Sequence, residues 1–141
     1  MWANKAISGY PNWPVGHAVM GSIEFHNSNY KKSIGYAIKS LELKESPLAY
    51  YVYGASSYYI KDYKTAVITI NRAIKLDQSY LGEKEAMLMQ SYSLANIDEF
   101  KHAYAALNTL VKHNANISKK DIHGNIQEID KLEKKHNKTL N

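Results

Sequence analysis

The sequence contains no cysteine. That excludes a disulfide framework, a thiolate metal site and a thiol nucleophile. It leaves the redox compartment open. Three prolines and seven glycines in 141 residues are few for a turn-rich β fold and favour long helices. No run of about 18 apolar residues occurs, so no helical membrane span is expected. The N-terminus lacks the basic start and apolar stretch of a signal peptide. The expectation is a soluble protein without membrane insertion, the cytoplasm favoured and the compartment otherwise unknown. A single arginine stands among 18 basic residues, whereas bidentate recognition of phosphate or guanine draws on arginine. Phenylalanine and tryptophan number two each, against twelve tyrosines.

What is present is otherwise ordinary. Apolar residues make up 45% and charged residues 22%, the balance of a folded chain. A chain of this length buries roughly 70% of its extended surface, enough for a core. Net charge is +5 with histidine neutral. Residues 1–78 carry nine basic and five acidic side chains, and residues 79–141 carry nine and eight. So small an excess reads as a solubilising surface. A nucleic-acid partner is not expected.

The chain repeats itself. When Gly21 is aligned with Gly54, Tyr30 falls on Tyr63, Ser33 on Ala66, Ala37 on Ile70 and Ser40 on Ala73. A third copy has Ser91 for the glycine, Phe100 for the tyrosine, and Ala103, Leu107 and Leu110 behind it. Each copy holds two helix-period segments. In the second copy one face runs Tyr50, Tyr53, Gly54, Ser57, Ile60, and the next runs Tyr63, Ala66, Val67, Ile70, Ala73, Ile74. The spacing predicts helices over 15–27, 30–43, 47–60, 63–76, 82–96, 99–113 and 118–136. Ser46 before Pro47, Asp62 before Tyr63, and Asp98 with Glu99 before Phe100 are expected to cap helices. Gly21, Gly54 and Ser91 fall mid-helix, where glycine costs about 1 kcal/mol relative to alanine. Close helix crossings explain that cost, with Ala66, Ala73 and Ala103 as the facing small surface.

These residues resemble the tetratricopeptide repeat, a helix–turn–helix unit of about 34 residues. The second copy carries the resemblance best, as Tyr50-x-x-Tyr53-Gly54-x-x-Ser57 followed by Tyr63, Ala66, Ile70 and Ala73. It departs at Ser57, where Tyr is usual, and at Gln78, where Pro is usual. In the first copy Met20, Gly21 and Tyr30 fit, while His17 and Glu24 stand at aromatic positions. In the third, Met87, Ser91 and Leu94 fit and Gln90 departs. The resemblance implies an all-α right-handed superhelix of helical hairpins. Its expected parts are the end of a preceding repeat over 1–13, repeats over 14–46, 47–80 and 81–115, and a capping helix with a frayed tail over 116–141. Ala3, Ala6 and Pro11 match the end of such a preceding unit, so the chain is expected to begin inside a repeat of a longer protein. At the other end, Ile122, Ile126, Ile129 and Leu132 form an apolar stripe. Lys119, Lys120, Asp121, Glu128, Lys131, Lys134 and Lys135 give the polar outer face of a cap.

Chemistry-bearing motifs are missing. The six histidines show no HExxH or other metal spacing, and no metal or other cofactor is expected. There is no Gly-rich phosphate loop and no GxSxG elbow. No paired acid and base stands out. The triplet Asn116-Ile117-Ser118 matches a glycosylation acceptor by a pattern common by chance. The chain is therefore not expected to be an enzyme.

What remains is a surface. In the tetratricopeptide fold the first helix of each unit lines a concave groove. The resemblance places there Ala18, Ser22, Phe25 and His26 from the first unit, Tyr51, Ala55, Tyr58 and Tyr59 from the second, and Leu88, Tyr92, Ala95 and Asn96 from the third. Tyrosine joins large contact area to a directional hydroxyl, which suits interfaces. Family members that clamp a terminal carboxylate use Lys and Asn on this face. Ala18, Tyr51, Leu88, Ser22 and Ala55 stand there instead, so no such clamp is expected. The expected function is non-catalytic binding of a protein or peptide segment with apolar anchors. Two alternatives stand beside it: an auxiliary scaffolding segment of a larger enzyme, and self-association through the N-terminal half-repeat near Trp2 and Trp13.

Overall fold

A computed structural model describes residues 2–141. Among the described residues there are eight α-helices, one short 3-10 turn and no strand. The helices are α1 (Trp2–Gly9), α2 (Pro14–His26), α3 (Tyr30–Leu43), α4 (Pro47–Tyr59), α5 (Tyr63–Leu76), α6 (Lys84–Asn96), α7 (Phe100–His113) and α8 (His123–Leu140), with the 3-10 turn at Gln78–Gly82. The chain divides into two compact units, Met1–Asp77 and Gln78–Asn141. In the first unit each helix packs on the next, and α2 also touches α4. In the second, α6, α7 and α8 pack mutually, with the 3-10 turn against α6 and α7. The fold is all-α, with packed consecutive helix pairs as in a helical repeat.

Three hairpin turns recur in the same form. Ser28, Lys61 and Asp98 have φ of 62°, 65° and 65°, the left-handed region. After each, an N–H reaches back five residues to a helix carbonyl: Asn29 to Glu24 at 2.8 Å, Asp62 to Ser57 at 2.8 Å, Glu99 to Leu94 at 2.9 Å. This is a Schellman ending, which usually employs glycine. The three positions share the register of the sequence repeat, so the turns repeat with the residues.

The small residues sit where backbones meet. A Cβ on Gly54 would lie 2.6 Å from Ile70 Cγ1 and 2.7 Å from Thr69 Oγ1, both on α5. One on Gly21 would lie 3.2 Å from the Ser33 carbonyl on α3 and 3.2 Å from Val52 on α4. Ala37, Ala66, Ala73 and Ala103 are fully buried. Buried hydroxyls stitch the α2–α3 and α3–α4 crossings. Ser56 donates to Ser33 at 2.9 Å, Ser33 to the Gly21 carbonyl at 2.7 Å, and Ser40 to the Pro14 carbonyl at 2.7 Å. Each bond satisfies a polar atom that burial would otherwise penalise by about 1–3 kcal/mol.

Capping follows the sequence in two turns and departs in the third. Ser46 Oγ accepts the Ala49 N–H at 3.2 Å, and Asp62 accepts the Thr65 N–H at 3.3 Å. Neither Asp98 nor Glu99 caps α7. Asp98 is the left-handed turn residue and faces His136 at 3.3 Å, while Glu99 is turned to His102 at 3.0 Å. The last helix also departs. It begins at His123 rather than 118 and continues to Leu140, through residues expected to fray. Ser118 spends its backbone N–H and hydroxyl on Asp121, at 2.8 and 3.0 Å, within a turn that precedes the helix. Those two bonds hold the exposed Asp121 carboxyl below its ordinary pKa. The apolar stripe still packs inward, with Ile122 and Ile129 buried, while the expected outer face of lysines and acids is exposed.

Candidate functional site

In the first unit the C-terminal ends of α2 and α4 lie side by side, and their aromatic residues form a ladder. Phe25 meets His26 edge-on at 5.4 Å between ring centroids and Tyr59 at 5.7 Å. Tyr59 stacks on Tyr30 at 4.9 Å with the rings 5° from parallel. Tyr58 meets Tyr59 edge-on at 5.2 Å and Tyr63 at 6.1 Å. Offset-stacked and edge-on pairs of this kind contribute about 0.5–1.5 kcal/mol each beyond area burial. The hairpin turns set the geometry. Each turn brings an aromatic near the end of one helix beside the first residue of the next, Phe25 beside Tyr30 at 5.8 Å and Tyr58 beside Tyr63.

The ladder remains on the surface. Tyr59 is 51% exposed and Ile60 is 41% exposed. His26 is exposed, while Phe25, Tyr30, Tyr58 and Tyr63 are half-buried. Beside it a depression of about 310 Å³ is lined by Ser28, Asn29, Tyr30, Lys31, Lys32 and Ile60. Ile60 was expected on the core face of its helix. The periodicity carries it there only if the helix continues, and the Lys61 turn ends it one residue early.

Of the residues expected to line the groove, the structure brings together Phe25, His26, Tyr58 and Tyr59. Ala55 is 0% exposed and offers no surface, and Ala18 and Ala95 are also buried. Ser22 and Tyr51 are half-buried on α2 and α4. Leu88, Tyr92 and Asn96 are half-buried on α6 in the second unit, where Asn96 donates to the Tyr92 carbonyl at 2.8 Å. Tyr30 and Tyr63 join the ladder, although the repeat pattern presents them only as packing positions. Their place as first residue after each turn was the available signal.

His17 and Tyr50 lie inside the fold rather than on the ladder. His17 is buried, its Nε2 2.7 Å from the Pro11 carbonyl, at a position where the repeat calls for an aromatic ring. Tyr50 is buried as expected, with its hydroxyl on Glu45 and the Arg72 guanidinium 5.8 Å from its ring, whereas Tyr53 is only half-buried. Among the described residues no group of three or more His, Asp or Glu could hold a metal ion. No described helix is long and apolar enough to cross a membrane. At the N-terminal end, Ala6, Tyr10, Asn12 and Trp13 line an open, mainly apolar depression of about 620 Å³. Tyr10 is 72% exposed and Trp13 37%. The Trp2 side chain, expected at this end, lies outside the described residues.

No protein-family model, curated protein or solved structure matches this chain.

Proposed function

We propose that the chain is a tetratricopeptide-like interaction module that binds a peptide or protein segment without catalysis. The aromatic ladder carries this reading. Six aromatic rings from four helices converge on one edge, and the stacked Tyr59 stays half in solvent. The ring contacts stabilise the fold, and the exposed half of the ring adds rigid contact area that a binding surface uses at low entropic cost. The helices supply the rigid frame that keeps such a surface preorganised. A randomised peptide library panned over the whole chain tests the reading. Enriched peptides should bind the unchanged chain and lose affinity for Tyr58→Ala and Tyr59→Ala, with helical circular dichroism retained. A library that yields no specific binder overturns it.

A second reading has its own observation. The apolar depression beside Tyr10 and Trp13 offers a surface for a second copy of this chain. Light scattering across concentration tests that self-association, and a constant monomer mass removes it.

A further inference from the structure

We infer that the ladder edge recognises an acidic segment: carboxylate side chains seated on Lys31 and Lys32, and an apolar side chain placed in the depression against Ile60 and Tyr30. This names the partner's chemistry for the binding reading above and rests on it.

Basic side chains outnumber acidic ones on this edge. Lys31 and Lys32 line the depression itself. Lys61 follows Ile60 in the turn, and Lys64 follows Tyr63 at the start of α5. All four are exposed, and none forms an ion pair among the described residues. Two carboxylates share these turns, each with a local hydrogen-bond donor but still charged, so four lysines leave an excess of two positive charges. Glu24 accepts from the Asn29 amide at 2.8 Å, and Asp62 accepts the Thr65 N–H. That excess around an exposed isoleucine and a tyrosine pair complements a segment that alternates carboxylates with apolar anchors. At about 310 Å³ the depression is at the small end of ligand sites. It suits a side chain rather than a cofactor.

The same lysines and rings could be asked to hold single-stranded nucleic acid, but two observations favour the peptide. Bases need open ring faces to stack on. Tyr30 and Tyr59 cover one face of each other, and Phe25 and Tyr58 crowd Tyr59 further. The chain's only arginine, the better partner for phosphate, lies over the Tyr50 ring, away from this edge.

The test uses the whole chain and the peptides enriched from a randomised twelve-residue library. The enriched pool should be rich in Asp and Glu flanking Leu, Phe, Trp or Tyr. Titration of a labelled member should weaken by about tenfold or more in Lys31→Glu/Lys32→Glu, and should weaken with added salt. Lys119→Glu/Lys120→Glu, a pair of equal charge in the second unit, should leave the affinity unchanged. An enriched pool without acidic bias overturns this inference while leaving the binding reading intact. So does equal affinity for the Lys31/Lys32 variant. A library that yields no binder removes both. An oligothymidylate of fifteen nucleotides is the third probe. Its binding, abolished by the same lysine variant in the absence of any acidic peptide preference, would assign the edge to nucleic acid instead.

Discussion

Glycine at position 54 and glycine at position 35 lie in neighbouring helices, yet they answer substitution with opposite signs. Alanine at either site gains about 1 kcal/mol of helix propensity. At Gly35 a Cβ meets nothing within 4 Å, so the gain is kept and Gly35→Ala raises stability by about 0.5–1 kcal/mol. At Gly54 the new methyl must displace Ile70 and Thr69 from contacts of 2.6 and 2.7 Å. Overpacking of that kind costs about 1–3 kcal/mol, and Gly54→Ala lowers the urea midpoint despite the better propensity. A similar reasoning applies to Ser28, held at φ 62°. Left-handed backbone costs a residue with a Cβ about 1–2 kcal/mol. Ser28→Gly recovers this minus the added freedom of the unfolded chain. Thermal unfolding should move upward by a few degrees. A lower midpoint would mean that the serine side chain contributes something the geometry does not show.

At the scale of elements, the most exposed dependence is that of α8 on α7. Tyr104 on α7 donates its hydroxyl to Asp130 on α8 and lies 3.4 Å from Glu133. Burial first, and then the two carboxylates, raise the phenol's pKa above its ordinary value. A raised folded-state pKa means that the stabilisation is complete below the unfolded phenol's value, about 10, and is lost as pH climbs beyond it. The helix-to-helix tie should therefore weaken in alkali. Tyr104→Phe should cost about 1 kcal/mol at pH 8 and show a shallower loss above about pH 10 than the unchanged chain. Parallel slopes in urea midpoints would remove the phenol from the account. Elements were also where the sequence spoke most clearly. Gly21 and Gly54 marked close crossings in the sequence, although Gly54 meets Ile70 and Thr69 rather than the alanines expected to face it. The start of α8 was not legible. Ser118 and Asp121 have the chemistry of a helix cap but spend it on a turn. Nor was the ladder fully legible. Which end of α2 meets which end of α4 depends on the crossing geometry, so Tyr30 and Tyr63 looked like packing residues and Ile60 like core.

The whole molecule carries a net charge of +5, and this sets a contrast between its two candidate surfaces. Two copies meeting at the apolar depression of Tyr10 and Trp13 bring like charges together. Salt screens that repulsion with a Debye length of about 8 Å at physiological strength. Self-association should thus strengthen as salt rises. An acidic segment at Lys31 and Lys32 is attracted by the same net charge, so its binding should weaken over the same range. Sedimentation or light scattering at 50 and 500 mM salt reads the first, and peptide titration under matched conditions reads the second. Tyr10→Glu should abolish any salt-promoted dimer and leave peptide affinity unchanged, since Tyr10 lines the first depression and not the one at Lys31 and Lys32. Affinities that move in the same direction with salt would mean that one surface, not two, accounts for both associations. A Tyr10 variant that loses the peptide would locate that surface at the N-terminal end.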